Sequence, residues 1–224
     1  MRYVALPRSI RRWVLWLGAR GSADYRRLAR PWADWSRGIQ VTNDTMRSRA
    51  SAGRDRIAHL EVPPRFAADH TRLTALLEPT TEGPQKERLR LAVERRAEAQ
   101  GLAERMHAAA STDEERLYTG AVTEEMERRH AESVAMYDEW ERVTQRFIKQ
   151  LNGMSLPSDY QELHGGLTAT MQEFLGQVVR QRAALQEHDY VKLGEEAVEW
   201  ASVNARLEQL REQLVEKSPL KEQD

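Results

Sequence analysis

Two short sequences place a carboxylate and an imidazole three residues apart: Glu104-Arg-Met-His107 and Glu127-Arg-Arg-His130. On a helix that spacing puts both groups on one face, which is how di-iron helical bundles build their metal centres. The surrounding pattern argues against such a centre. A turn is expected near Ser111–Asp113, so His107 falls about one helical turn before it and His130 almost five turns after it. In an antiparallel pair the two histidines would lie roughly 20 Å apart along the axis. The flanking arginines also bring positive charge to the place a cation would occupy.

His70 and His164 are better matched, because each holds the same place in one of two similar stretches. These are Val62–Leu77 (VPPRFAADHTRLTALL) and Leu156–Met171 (LPSDYQELHGGLTATM), ninety-four residues apart. At that offset Pro63 falls on Pro157, Phe66 on Tyr160 and His70 on His164, and Leu73-Thr74-Ala75 falls on Leu167-Thr168-Ala169. Packed about a pseudo-twofold axis, the two units could bring both imidazoles together. Glu162 would sit on another face of its helix, and two histidines without a paired carboxylate make a poor zinc site. His70 and His164 are thus the metal candidates, with packing as their expected role and a pH-sensitive interface as a variant.

Other chemistry is excluded by residue type. The chain has no cysteine, so disulfides, thiolate catalysis, iron–sulfur clusters and cysteine-based zinc sites are ruled out. There is no phosphate-binding glycine loop, no Gly-x-Ser-x-Gly elbow and no strand pattern to carry one. No enzyme is expected, with no catalytic residue and no cofactor.

The elements that must position these residues read as helices throughout. Charged residues make up 31% of the 224, and the mean hydropathy of −0.72 suits long helices with one apolar stripe. From Trp32 to Leu60 apolar or small residues recur at threes and fours (Trp35, Ile39, Thr42, Met46, Ala50, Gly53, Ile57, Leu60), a coiled-coil-type stripe opened near Pro31 and closed by Pro63 and Pro64. A short helix follows to about Glu78, then a loop at 79–84. The next helix, from about Gln85 to Ala110, carries Leu89, Val93, Leu102 and Met106. Ser111 with Glu114 reads as a capping box for a long helix to Leu151, striped by Met136, Trp140, Val143, Phe147 and Leu151. Ser158 with Gln161 reads as another box, opening a helix with Tyr160, Leu163, Leu167, Met171, Phe174 and Val178. Gly165-Gly166 inside it suggests close approach of a second helix. Asp189 caps the last helix, striped by Leu193, Ala197, Trp200, Val203, Leu207, Leu210 and Leu214. The Glu/Arg faces at 86–105 and 123–130 read as solvated ion-pair surfaces.

This organisation predicts an all-α, elongated antiparallel bundle built from two duplicated three-helix units. Residues 22–111 form the first unit and 112–216 the second, with a polar tail at 217–224. Residues 1–21 form a basic, Trp-rich segment. Residues 1–60 hold thirteen Arg and no Lys against four Asp, a charge of +9, so the remainder carries −10 of the net −1. Within 8–17, Ile10, Trp13, Val14 and Leu17 share one helical face and Arg8, Arg11 and Arg12 the other. Arg8, Arg11, Arg12, Trp13 and Trp16 are therefore the candidate contacts to a membrane or an acidic partner. The longest apolar run, Trp13–Ala19, is too short to span a bilayer, and its two Trp and following Arg20 argue against a cleaved signal.

The second unit, LPSDYQELHGGLTATMQEFLGQVVRQ followed by DYVKLGEEAVEWASVNARLEQLREQL, resembles small helical repeat domains of uncharacterised bacterial proteins, many of them envelope-associated or lipoproteins. The resemblance covers roughly residues 140–216 and implies no activity. This chain lacks the lipidated cysteine such proteins often carry.

The expected role is a non-enzymatic interaction or scaffold protein, partnering a protein or a second copy of itself. Its basic segment would dock on an acidic surface. Alternatives are a peripheral membrane or envelope protein held by residues 8–17, a metal-binding bundle, and a nucleic-acid binder. The last lacks a helix-turn-helix signature, and its arginines spread round the helix. The expected setting is cytoplasmic or peripheral to a membrane, without a transmembrane helix.

Overall fold

The computed structural model describes residues 23–80 and 84–217; the candidate contacts Arg8, Arg11, Arg12, Trp13 and Trp16 lie outside the described residues. Among the described residues there are six α-helices and no strand. Helix α1 spans Ala23–Ala58. A 3-10 turn, Pro64–Phe66, runs into α2, Ala67–Leu76. Then come α3, Gln85–Ala109, α4, Asp113–Asn152, α5, Ser158–Gln186, and α6, Tyr190–Glu216. The protein is an all-α helical bundle.

Helices α1 and α4 form its spine. Trp35 meets Thr144 and Arg56 meets Glu125, so residue numbers rise along one helix as they fall along the other. The pair is antiparallel, and the 40 residues of α4 extend about 60 Å. Tyr137 with Gln181 sets α5 antiparallel to α4, and Arg180 with Glu196 sets α6 antiparallel to α5.

Two apolar cores lie along the spine. The larger fills the end where α5 and α6 pack on the first half of α1 and the second half of α4. Its centre is aromatic. Trp35 stacks on Phe147 and meets Phe174 edge-on at 5.3 Å; Phe174 lies 4.6 Å from Trp200, which stacks on Trp140. Offset and edge-on pairs of this kind add about 0.5–1.5 kcal/mol each beyond burial. The smaller core joins Ile57 of α1, Phe66 and Leu73 of the α2 segment, Leu102 and Met106 of α3, and Tyr118, Val122 and Met126 of α4. α3 runs past both cores, since its Val93 belongs to the larger one.

The ninety-four-residue offset reappears in the element boundaries. α1 ends at Ala58 and α4 at Asn152; the next helical segment opens at Pro64 and at Ser158. Leu73 and Leu167 are both fully buried, as are Ile57 and Leu151. Beyond that the halves diverge, since α2 stops at Leu76 while α5 continues to Gln186.

Several local expectations are corrected. α1 opens at Ala23, with Pro31 inside it. Pro31 removes one backbone hydrogen bond, but Tyr25, Leu28 and Ala29 before it are 0–1% exposed, and their burial holds the first turns in place. Trp32 and Trp35 are buried with them in the core. The capping box of α4 is Thr112 with Glu115, one residue later than the sequence pattern suggests. Glu115 accepts from the backbone N–H groups of Ser111 and Thr112 and from the Ser111 hydroxyl, which fixes that register. At α5 the cap position is Pro157, and Ser158 is already helical; its hydroxyl donates to Asp159 instead. Of the glycine pair, Gly166 faces Leu210, where a Cβ would lie 3.0 Å from Cδ2, while Gly165 faces open space.

Candidate functional site

Where the two cores meet, the spine leaves a polar crevice of about 70 Å³. Met46 closes it on the larger-core side and Met126 on the other. Its polar lining comes from α3 (Arg95, Arg96, Gln100) and α4 (Arg129, His130, Glu132, Ser133), with Glu78 and Thr80 beyond the end of α2. The site exists because adjacent helical residues point about 100° apart. In the doublet Arg128-Arg129, Arg128 turns outward to Glu124 and Glu125. Arg129 turns inward and donates to the Ala50 carbonyl of α1 at 2.7 Å.

The other cations are held differently. Arg96 donates to Ser133 Oγ at 3.0 Å, tying α3 to α4. Arg95 has no hydrogen-bond or ion-pair partner among the described residues. Glu78 is drawn away by Arg54, at 2.9 Å. The lining therefore holds three guanidinium groups against Glu132 and an already paired Glu78.

His130 completes the crevice. Its ring lies flat on that of His188, centroids 4.3 Å apart and planes 2° apart. Its Nδ1 is buried and meets no hydrogen-bond partner. Burial, then the charge of Arg96, then His188 push its pKa down to about 4, so it is neutral at pH 7. His188 sits just past the end of α5 with φ 57°, a left-handed position more often taken by Gly or Asn. The Asp189 N–H returns to the Ala184 carbonyl at 2.8 Å and closes that turn. The crevice carries more cationic than anionic groups, so it suits an anion and repels a cation.

The sequence candidates fall elsewhere. His70 Nδ1 meets the hydroxyl of Tyr118 at 2.9 Å, and His164 Nε2 donates to the Leu151 carbonyl at 2.8 Å. Tyr118 and Leu151 are 33 residues apart on α4 (151 − 118), about 50 Å along the helix. The two histidines thus sit at opposite ends of the spine, and the shared axis expected for them does not form. Burial lowers the pKa of His70 and, with Asp69 next, raises Tyr118 to about 12. His107 meets Thr119 Oγ1 at 3.2 Å while His130 lies eleven residues further along α4 (130 − 119), so the two Glu-x-x-His sequences remain apart. No group of three or more potential metal-ligating side chains occurs among the described residues.

Sequence reasoning missed the crevice because its arginines lie in faces that read as solvated. The ion pairs expected there do form, at Arg90 with Glu87 and Glu94 and at Arg128 with Glu124. The sequence holds no signal for it, since a doublet such as Arg95-Arg96 or Arg128-Arg129 can also lie wholly outside, as exposed Arg26 and Arg27 do on α1.

No helix among the described residues is long and apolar enough to cross a membrane. Comparison with protein-family models, with curated proteins and with solved structures finds no match to this chain.

Proposed function

We propose that the protein is a non-enzymatic helical interaction scaffold whose basic N-terminal segment docks on an acidic protein surface, a second copy included. The observation that carries this reading is the division of charge along the chain. Residues 1–22 contain Arg2, Arg8, Arg11, Arg12 and Arg20 and no acidic residue. They lead directly into α1, whose first turns are locked in the larger core. Anything these residues grip is therefore tied to a spine of about 60 Å. Exposed Glu162, Glu195 and Glu212 on α5 and α6 offer the opposite charge on another copy.

The use made of the histidines also supports a structural role. Besides the pairings above, His59 Nδ1 lies 2.6 Å from the Asp55 carbonyl, so each of the six histidines is engaged within its own chain. A membrane surface is the second reading, favoured by Trp13 and Trp16 beside the arginines.

Sedimentation of the full chain, with and without polyglutamate, separates these readings when compared with Arg8→Ala/Arg11→Ala/Arg12→Ala and with flotation on anionic vesicles. Salt-sensitive association with itself or with polyglutamate, lost in the triple variant, supports the protein-surface reading. Flotation alone, lost in the same variant, transfers support to the membrane. No arginine-dependent association of either kind overturns both.

A further inference from the structure

We propose that the crevice between the two cores is a binding site for a single phosphate-type oxyanion. Three observations converge on it. First, Arg95, Arg96 and Arg129 all line one small space, supplied by two helices that the fold holds rigidly side by side. Guanidinium groups are the donors best matched to a tetrahedral oxyanion, because their planar forks bind two oxygens at once. Arg96 and Arg129 are already fixed by Ser133 and Ala50, so their orientation is set before any ligand arrives. Arg95 has no such anchor and is available to close on the ligand.

Second, the same lining carries His130, whose ring is stacked on His188 and neutral at pH 7, so it leaves the charge of the guanidinium groups uncancelled.

Third, the size is selective. About 70 Å³ corresponds to roughly five water-sized volumes, enough for one phosphate group and too little for a nucleotide. Glu132 in the lining opposes an anion, but three guanidinium groups outweigh it.

The test is calorimetric titration of the full chain with inorganic phosphate and with methyl phosphate, at constant ionic strength set by chloride. Arg95→Ala and Arg95→Gln are the informative variants, since Arg95 bridges no helices and both replacements keep a good helix former. Arg142→Ala, remote on α4 and paired with Glu139, is the control. One saturable site is expected, weakened roughly tenfold or more by either Arg95 variant and unchanged by the control. Chemical-shift change confined to His130 and His188 among the six histidines is the accompanying signature. Binding of inorganic phosphate alone assigns the free ion, and equal binding of methyl phosphate assigns a phosphomonoester; both uphold the site. Absence of saturable binding, or binding indifferent to Arg95, overturns it.

Discussion

Gly53 offers a perturbation whose sign depends on a single neighbour. It lies on α1 opposite Glu125 of α4, whose side chain is only 5% exposed. Glu125 accepts from Arg56 Nε at 2.8 Å, Arg56 Nη2 at 2.9 Å and Arg128 Nη1 at 2.6 Å, joining the spine helices beside the smaller core. A Cβ at residue 53 would stand 2.3 Å from Glu125 Oε1, closer than any real contact. Gly53→Ala gains about 1 kcal/mol of helix propensity. It must also push a buried carboxylate off its donors, and charge-assisted hydrogen bonds contribute about 1.5–3 kcal/mol each. The net result is a loss of roughly 1–2 kcal/mol, or about 2–4 °C in Tm per kcal/mol at this chain length. In a Glu125→Ala background the obstacle is gone; only Arg129 Nη1 remains close, at 3.2 Å, and it is the tip of a flexible side chain. There Gly53→Ala becomes stabilising by about 1 kcal/mol. Urea denaturation of the four proteins closes the cycle, with a coupling of about 2–3 kcal/mol expected. Stabilisation by Gly53→Ala in both backgrounds would refute the close approach of α1 and α4 at this point.

Other outcomes follow from the same geometry. Phe174→Ala, which empties the space between Trp35 and Trp200, costs about 3–5 kcal/mol in chemical denaturation. Thr112→Ala loses about 1 kcal/mol by thermal unfolding, whereas Ser158→Ala, the expected cap that does not cap, leaves Tm unchanged. An NMR titration of His130 is expected to give a midpoint near pH 4, below its ordinary 6.5. With the folded value depressed, the unfolded chain takes up the proton first as pH falls. The contribution of His130 to stability is therefore complete above about pH 6.5 and lost as pH falls towards about 4. His130→Phe flattens the pH dependence of urea midpoints across that window.

The helices were legible because burial follows helical spacing. Met136, Trp140, Phe147 and Leu151 are buried as their stripe requires, and so are Leu193, Ala197, Trp200, Val203, Leu207 and Leu214. Asp189 caps α6 as its position suggests, accepting from Lys192 N–H at 3.0 Å. Caps were less legible where two polar residues adjoin. Ser111 and Thr112 both carry hydroxyls, and only the reach of the Glu115 carboxylate decides between them. Pro31 misled because a proline at a helix start and one inside a helix look alike until the burial of Tyr25 and Leu28 is known. The crevice was least legible. Local periodicity shows which residues share a face, but not that α3 crosses α4 where Arg96 meets Ser133. His70 and His164 mark two helix starts at opposite ends of one spine, so their equivalence in sequence carries no proximity in space.

One spine runs unbroken through both cores, and one distance tests it. The chain has no cysteine, so Thr71→Cys and Glu162→Cys, both at exposed positions, give two unique labelling points. They flank His70 and His164, whose α4 partners are 33 residues apart (151 − 118). Pulsed electron resonance between spin labels at these sites should give one narrow distribution centred near 50 Å. A dominant distance below about 25 Å, at which the helices carrying His70 and His164 would share an axis, would contradict the shared spine and the scaffold built on it.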